Sequence, residues 1–417
     1  MKLQTFGKLI TLSLVVATSL HATNGDNLIG IGAKARGMGG VGIALSHGAE
    51  SALSNPALIT SVEGTEISFG GTLFAPRITT QINNGSPGNP AYTSDAKLSV
   101  IPEVSIAHKI NENWYVGIGM WGTAGMGTDY SKAGTVTATG ALANFNMVTN
   151  LQLMQFGVPI AYKTGALSIA FTPIVQYGNL DINFKTISAG APNPIPAGTV
   201  YTVGAGIAQD FGTGYNIGLT YQPSDALTVG ATYKSSIKMN YDGQISNASA
   251  NFGLAIGDTL TQPAEYGLGF SYAMGAHTFG FDWKKIKWSK AKGYSDFGWK
   301  NQNVYALGYQ YTQANWAMRV GYNRASSAVV SQANPALNML NLLGFPANAV
   351  KHYTLGGTYN VSKQFSVDLA YVYSPKNTDT FDTTGLFRTP GGVIIPNTSV
   401  TTSHKESSLS FQLNYTF

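Results

Sequence analysis

The residues in this sequence that could do chemistry are few and scattered. The 417-residue chain contains no cysteine, which excludes disulfide bonds and thiolate metal sites. Its histidines show no metal-ligand spacing, and none pairs with a serine or an aspartate as in a lipase or protease. They are His21, His47, His108, His277, His352 and His404. We therefore predict that the protein is not an enzyme and has no catalytic residue, metal site or cofactor.

One short glycine-rich stretch matches a nucleotide-binding pattern. Residues 37–42, Gly-Met-Gly-Gly-Val-Gly, fit the pattern G-x-G-x-x-G. That pattern binds a dinucleotide only between a strand and a helix of a βαβ unit, and neither neighbour is predicted here. We interpret it as a tightly turned backbone in a confined space.

Three cations lie at positions where a strand would point them inward. Strand alternation places Lys234, Lys238 and Arg319 on the inner face of the predicted sheet. Each could bind a substrate carboxylate through a charge-assisted hydrogen bond. The alternative is a structural ion pair with an inward-facing acid, for which the candidates are Glu103, Glu265 and Asp368. The lysines between positions 284 and 292 are expected to contact lipid head groups or solvent.

Composition indicates which elements must hold these residues. Charged residues make up 11% of the chain, less than half of the roughly 25% in an ordinary globular protein, so much of the surface is apolar. The 22 Tyr and 6 Trp suit the two interfaces of a membrane. A net charge of +5 without a dense basic run argues against a nucleic-acid partner. Residues 1–22 are predicted to be a secretory signal peptide, since Lys2 and Lys8 accompany an apolar run.

From residue 64 onward the sequence alternates with period two. Near the C-terminus, for example, Leu409 and Phe411 alternate with Ser408 and Ser410. Fourteen such segments follow one another, and mostly short turns alternate with long polar loops between them. This pattern is typical of outer-membrane proteins. We predict an all-β fold, in which residues 64–417 form a 14-stranded antiparallel transmembrane β-barrel in the bacterial outer membrane.

Two strands depart from a smooth barrel wall. The third is rich in glycine, which indicates a bulge or a close approach of the backbone, notably at Gly122, Gly125 and Gly127. The ninth changes phase at Lys284-Lys285, which predicts a β-bulge there.

Two of the long loops are unusually apolar. Residues 334–350 predict a short amphipathic helix that begins near Pro335 and ends near Gly344. Residues 246–262 are the other apolar loop. Apolar surface at the outer rim would suit capture of a hydrophobic ligand. The candidate capture residues are Phe252, Leu254, Leu340, Leu343 and Phe345.

The region ahead of the first strand resembles a known hatch. Residues 30–40 read Gly-Ile-Gly-Ala-Lys-Ala-Arg-Gly-Met-Gly-Gly, and a Ser-Asn-Pro-Ala-Leu stretch follows at 54–58. Together with the strand count and an aromatic C-terminus at Phe417, these residues resemble the FadL/TodX (OMPP1) family of outer-membrane transporters of long-chain fatty acids and other hydrophobic compounds. The residues that match its Asn-Pro-Ala motif are Asn55, Pro56 and Ala57. The resemblance implies that residues 23–63 form a hatch that plugs the barrel.

The resemblance also implies a route for the ligand. Loops at 185–211 and 246–262 would capture it, and a lumen pocket beside the hatch would then hold it. It would leave sideways at a kink in the third strand, for which Gly122, Gly125 and Gly127 are the candidates. The Asn-Pro corner is expected to contact that strand.

We therefore expect passive uptake of hydrophobic molecules, foremost long-chain fatty acids, because cations in the lumen suit a carboxylate. Transport of aromatic or alkane hydrocarbons by the same mechanism, a general diffusion porin and an outer-membrane enzyme are the alternatives. The expected partners are the solutes, outer-membrane lipid and lipopolysaccharide, and the barrel-assembly machinery. The protein is expected to be a monomer.

Overall fold

Fourteen long strands form most of the molecule. The computed structural model describes residues 24–86, 89–134, 142–188, 195–389 and 391–417, so the predicted signal peptide lies outside the described residues. The first seven strands are β1 (Thr65–Asn83), β2 (Ser99–Lys109), β3 (Trp114–Asp129), β4 (Val148–Gly157 and Ile160–Thr164), β5 (Leu167–Ile187), β6 (Ala208–Ser224) and β7 (Leu227–Lys234). The others are β8 (Glu265–Met274), β9 (His277–Ile286), β10 (Gln302–Thr312), β11 (Trp316–Ala325), β12 (Lys351–Asn360), β13 (Phe365–Asp382) and β14 (Ser399–Thr416).

The sheet closes on itself as an antiparallel barrel. Each strand pairs with the next, and β14 pairs with β1 from Thr416–Glu66 to Ser399–Asn83. Closed pairing satisfies the backbone polar groups of a wall in a bilayer. The predicted 14-stranded all-β barrel is confirmed.

The period of two sorts side chains between the two faces of the wall. On β14, Leu409 and Phe411 are exposed on the outer surface, whereas Ser408 and Ser410 are buried inside. Apolar side chains thus face lipid and small polar ones face the lumen, as a membrane barrel requires.

The ninth strand is regular, in contrast to the prediction. β9 pairs without a register shift with β8 and with β10 from His277 to Ile286. The predicted bulge at Lys284-Lys285 is therefore wrong. Ile286 is buried on the lumen side, in phase with Asp282, and the strand ends there. An apolar residue that faces inward, and not an extra residue, explains the apparent change of phase.

The remaining elements are short. The helices are α1 (Ala33–Gly37), α2 (Ser51–Ser54), α3 (Ile245–Ala250) and α4 (Pro335–Leu343), with 3-10 turns at Pro56–Ser61, Ala143–Asn146 and Trp288–Lys290. The short strands are Tyr92–Thr93, Val200–Val203, Ile237–Asn240 and Thr259–Gln262. The helix predicted after Pro335 is confirmed, and Asn334 caps it by accepting a hydrogen bond from Ala336 N at 2.9 Å. No helix among the described residues is long and apolar enough to cross a membrane.

The segment ahead of β1, residues 24–62, lies inside the barrel. Its main chain donates to inward-facing side chains on three different parts of the wall, which are Glu103 of β2, Asp282 of β9 and Thr354 of β12. Its own apolar residues Ile29 and Met38 are fully buried. The core of the molecule therefore lies between this segment, the outer loops and the inner face of the wall.

Candidate functional site

One acidic side chain of the wall holds the N-terminal segment on the β2 side. Glu103 is buried, and its Oε2 accepts a hydrogen bond from Gly32 N at 2.7 Å. Its Oε1 accepts another from Arg36 Nη2 at 3.2 Å. Arg36 is also buried, so each charge compensates the other where water cannot. Glu103 thus ties α1 to the wall, and its predicted inward orientation is confirmed.

A second group of charges connects α1 to strands β11 and β13 of the wall. Lys34 Nζ lies 3.2 Å from Glu50 Oε1 and 3.6 Å from Asp368 Oδ2 on β13. Arg319 Nη1 lies 3.8 Å from Asp368 Oδ1, and Nη1 and Nε also donate to side chains on β12 and β10 at 2.7 and 2.6 Å. Arg319 is therefore the structural partner of Asp368, which is the alternative that the sequence left open.

The glycine-rich stretch at 37–42 is a tight turn against the wall, as interpreted. Gly39 and Gly40 adopt φ of +71° and +90°, which L side chains rarely adopt. A Cβ on Gly39 would lie 2.8 Å from the backbone of Tyr322, so the chain can pass only without a side chain. Asp282 Oδ2 then accepts hydrogen bonds from Gly42 N and Ile43 N at 2.8 and 3.0 Å.

The Asn-Pro-Ala corner is bonded to a different strand from the one expected. Asn55 is fully buried and caps the 3-10 turn by accepting from Ala57 N at 3.1 Å. Its amide donates to Ile43 O at 2.6 Å and to Leu219 O of β6 at 3.2 Å. A Cβ on Gly218 would lie 2.1 Å from Asn55 Oδ1, so the corner fits against β6 because that position is glycine. The turns on either side of Asn55 do lie next to β3, the predicted partner, but the hydrogen bond from Asn55 to the wall goes to β6.

The pairing of β3 with β2 ends about halfway along β3. Pairing between β2 and β3 runs from Lys109–Tyr115 to Glu103–Trp121 and stops there. Immediately beyond, the register of β3 against β4 shifts between Gly122 and Ala124. We call the edge of β3 just beyond this last pair, residues 122–126, the seam.

The N-terminal segment takes the place of β2 on the seam. Leu28 N donates to Thr123 O at 3.2 Å, and Gly125 N donates to Asp26 O at 3.0 Å. A Cβ on Gly127 would lie 2.0 Å from Thr149 O of β4, so this part of the strand has no room for a side chain there. The predicted trio Gly122, Gly125 and Gly127 therefore lies where the wall is irregular and where the N-terminal segment is attached.

A small cavity lies beside the N-terminal segment, close to the seam. Its volume is about 80 Å³, which holds a few water molecules and no long alkyl chain. Lys234 lines it and pairs with Glu265 Oε1 at 3.4 Å. Lys284 also lines it and donates to Ile29 O at 3.4 Å. Within the described ranges Lys284 makes no ion pair shorter than 4.0 Å, so it is the cation of the cavity that can still bind an anion.

Lys238 does not face the lumen, so that prediction is wrong. The chain leaves the wall after Lys234, and the short strand Ile237–Asn240 pairs with Thr259–Gln262 instead. Ile237 is buried there, whereas Lys238 is exposed. The alternation of β7 therefore does not extend past the break.

The apolar residues predicted for capture divide into two groups. Leu340, Leu343 and Phe345 are buried around α4, where Asn341 Oδ1 accepts from Trp299 Nε1 at 2.9 Å. They form core and are not available as a capture surface in this structure. Two capture candidates, Phe252 and Leu254, are only partly buried. The Phe252 ring lies 5.5 and 5.4 Å from those of Phe145 and Phe184.

Two buried carboxyl groups of the N-terminal segment have raised pKa values. Burial raises the pKa of Asp26 to about 6, although hydrogen bonds from Tyr294 and Gln262 oppose the shift. Burial also raises the pKa of Glu50 to about 8, against the attraction of Lys34. Asp26 Oδ2 is bonded to the Tyr294 hydroxyl, and its main-chain oxygen is bonded to the seam, so its protonation affects the attachment of the segment to β3.

Comparison with known proteins identifies the family. A family model described as "Outer membrane protein transport protein (OMPP1/FadL/TodX)" matches residues 15–417. The chain belongs to the OMPP1/FadL/TodX family. The protein is therefore an outer-membrane transport protein, as the resemblance implied.

The relatives of this OMPP1/FadL/TodX protein are distant in sequence. The 47 kDa outer membrane protein of Pasteurella multocida is 23% identical, covering 82% of this chain and 85% of its own. The long-chain fatty acid transport protein of Escherichia coli K12 is 23% identical, covering 79% and 82%. Among solved structures, a Pseudomonas aeruginosa FadL homologue has a TM-score of 0.70 at 15% identity, covering 96% of this chain and 99% of its own. The Pseudomonas putida toluene transporter TodX has a TM-score of 0.69 at 16% identity, covering 95% and 100%. These likenesses show a shared fold.

Sequence reasoning missed two features of this family member's lumen. Lys284 belongs with the lumen-facing residues and not with the lysines that follow it, and its even position, shared with Asp282, is the sequence signal for this orientation. The attachment of residues 26–28 to the seam had no sequence signal, because it depends on where β2 ends its pairing.

Proposed function

We propose that the protein mediates passive uptake of hydrophobic molecules across the outer membrane, with long-chain fatty acids as the first candidate substrate. The observation that carries the proposal is the seam, where the pairing of β3 with β2 has ended and, among the described residues, the main chain of residues 26–28 is bonded to β3 instead. Withdrawal of that short segment would leave a gap in the wall beside the cavity. A solute could pass sideways through this gap from the lumen into the bilayer without entering the aqueous periplasm.

The N-terminal segment acts as the plug in this proposal. The ion pair Glu103–Arg36 and the Asn55 corner hold it to the wall on two sides. A cavity of 80 Å³ is too small for a long alkyl chain, so the plug must shift when ligand enters. The partly exposed ring of Phe252 would contribute to capture at the outer loops.

The fatty-acid candidate rests on Lys284. A carboxylate in the cavity would find the Lys284 ammonium, which no acid neutralises at short range among the described residues, and a charge-assisted hydrogen bond there would be strong. Lys234 would be a weaker partner because Glu265 already pairs with it. The curated relatives named as long-chain fatty acid transport proteins, at 23% identity, agree with this candidate.

A neutral hydrocarbon is the second candidate. The cavity contains two lysines and two acids, Glu265 and Asp282, so its charges nearly cancel without a ligand. A general porin is disfavoured, because the N-terminal segment occupies the lumen that a porin needs for water.

Uptake by cells that express the protein tests the proposal. Expression of the wild type should raise uptake of labelled palmitate above that of cells without the protein. Lys284→Gln should lower palmitate uptake several-fold and leave hexadecane uptake unchanged, while the exposed Lys290→Gln serves as the matched charge control. If expression raises uptake of neither solute, the proposal is wrong. If only hexadecane uptake rises, the hydrocarbon candidate replaces the fatty acid.

A further inference from the structure

An apolar groove lies on the lipid-facing surface just below the seam. Its volume is about 640 Å³, and it crosses the outer faces of five strands, β2 to β6. Its apolar lining includes Val104, Ile106, Ile118, Met120, Phe156 and Val175. Its floor lacks side chains at Gly119, Gly157 and Gly214, and β4 is interrupted beside it after Gly157. The groove is long and apolar enough to receive an alkyl chain.

The indole of Trp121 lies on the inner face of the wall behind the groove. A Cβ on Gly119 would lie 2.0 Å from Trp121 Cζ2, and one on Gly157 would lie 3.2 Å from Cζ3. The ring therefore occupies the inner face of the wall where the two glycines make it thinnest. Trp121 is completely buried, and its Nε1 donates to Ser105 Oγ on β2 at 2.8 Å.

Trp121 also stands between the groove and the lumen cavity. Ile174 of β5 lines both of these spaces. Its Cδ1 would be 2.7 Å from a Cβ on Gly157, so the Ile174 and Trp121 side chains meet at this glycine. Together the two side chains and the paired backbone of Gly119 and Gly157 form the barrier between the cavity inside and the groove outside.

The position of Trp121 on β3 connects this barrier to the plug. Glu103–Trp121 is the last pair between β2 and β3 before the seam. Glu103 is the residue that binds Arg36 and Gly32 of the N-terminal segment. A shift of the plug therefore acts on the strand position directly opposite Trp121.

The geometry points to Trp121 as the residue that sets the width of the solutes that leave the lumen. When the plug shifts, the indole turns away from Gly119 and Gly157, the solute leaves through the adjacent seam, and its alkyl chain enters the lipid-facing groove just below. A linear chain needs only a small displacement of the ring, whereas a fused-ring solute needs the whole space that the indole fills. This inference rests on the proposed uptake function and adds a determinant of specificity to it.

Uptake of a narrow and a wide carboxylic acid tests the inference. Initial rates for palmitate and for the tricyclic dehydroabietate are measured in cells that express each variant. Trp121→Ala should raise the rate ratio of dehydroabietate to palmitate about tenfold, as expected for about 1.4 kcal/mol less barrier. Trp121→Leu should raise the ratio less, and Trp121→Phe should keep it close to the wild type.

Trp299→Ala is the matched control, because Trp299 is equally buried and hydrogen-bonded but lies away from the groove. It should leave the ratio unchanged even if it lowers both rates. If Trp121→Ala fails to assemble, Trp121→Leu decides the question alone. If the wild type takes up palmitate and the assembled Trp121 variant has the same dehydroabietate-to-palmitate ratio as the wild type, Trp121 does not have this role. Absence of that wild-type uptake would instead refute the proposed function.

Discussion

Loss of the Glu103 carboxylate is expected to release the N-terminal segment and to leave the barrel assembled. In Glu103→Leu, the buried guanidinium of Arg36 loses its partner at 3.2 Å. An uncompensated buried charge costs about 3–5 kcal/mol. A cost of about 4 kcal/mol raises the population of the detached segment roughly a thousandfold. The strand pairs of the barrel do not depend on this contact.

Amide hydrogen exchange of residues 26–40 measures the detachment, and heat-modified gel mobility reports on the barrel. Exchange should be much faster in Glu103→Leu than in the wild type, with unchanged mobility. The double variant Arg36→Met/Glu103→Leu should recover most of the protection, because an apolar pair can replace a buried ion pair at little cost. Asp95→Asn, which breaks only ion pairs at the surface, should leave exchange in residues 26–40 unchanged. Equal exchange in the single and double variants would refute the reasoning.

Three further predictions address other contacts of the plug and the loops. Asn55→Ala removes a helix cap worth about 1 kcal/mol and the hydrogen bond to Leu219 O. Uptake should therefore fall although the barrel assembles correctly, and an assembled variant with wild-type uptake would contradict this. The pKa of Asp26 is raised from 3.8 to about 6 in the attached segment. Protonation of Asp26 therefore stabilises the attachment by about 3 kcal/mol at pH below about 4, and this stabilisation is lost as the pH rises through 6. Hydrogen exchange at Leu28 should therefore depend on pH in the wild type relative to Asp26→Asn, and parallel profiles would exclude the linkage. Leu343→Ala should destabilise the fold by about 2–5 kcal/mol in thermal unfolding, and a change in ligand capture without loss of stability would show that this side chain is not core.

The barrel could be predicted because lipid imposes a simple rule on every strand. An apolar side chain must alternate with a small or polar one, so Leu409 and Ser410 reveal their faces without any knowledge of the fold. The same rule placed Glu103 and Asp368 correctly inside. Their partners on the N-terminal segment lie 67 and more than 300 residues away in sequence, and no local pattern encodes such a pairing.

The rule failed where the chain leaves the wall. Lys238 lies beyond the end of β7, and a hairpin with its own register determines its orientation. Ile286 obeys the alternation, but its apolar side chain points into the lumen. In the sequence, an apolar residue at a lumen-facing position looks the same as a change of phase caused by a bulge. The sequence at 334–350 predicts the helix, but its apolar composition suits an exposed capture surface and a buried core equally well. Only packing around Trp299 distinguishes the two.

A disulfide across the seam tests the central claim, that solutes leave between β2 and β3. The chain has no cysteine, and a Cβ on Gly122 would lie 3.7 Å from the Cβ of Ile101, which suits a disulfide. Oxidised Ile101→Cys/Gly122→Cys should lose palmitate uptake and regain it on reduction. A bridge at the already paired positions His108 and Val116, which lie outside the groove, should have no effect in either state. Uptake at the wild-type rate through a fully oxidised Ile101→Cys/Gly122→Cys protein would contradict exit through the seam.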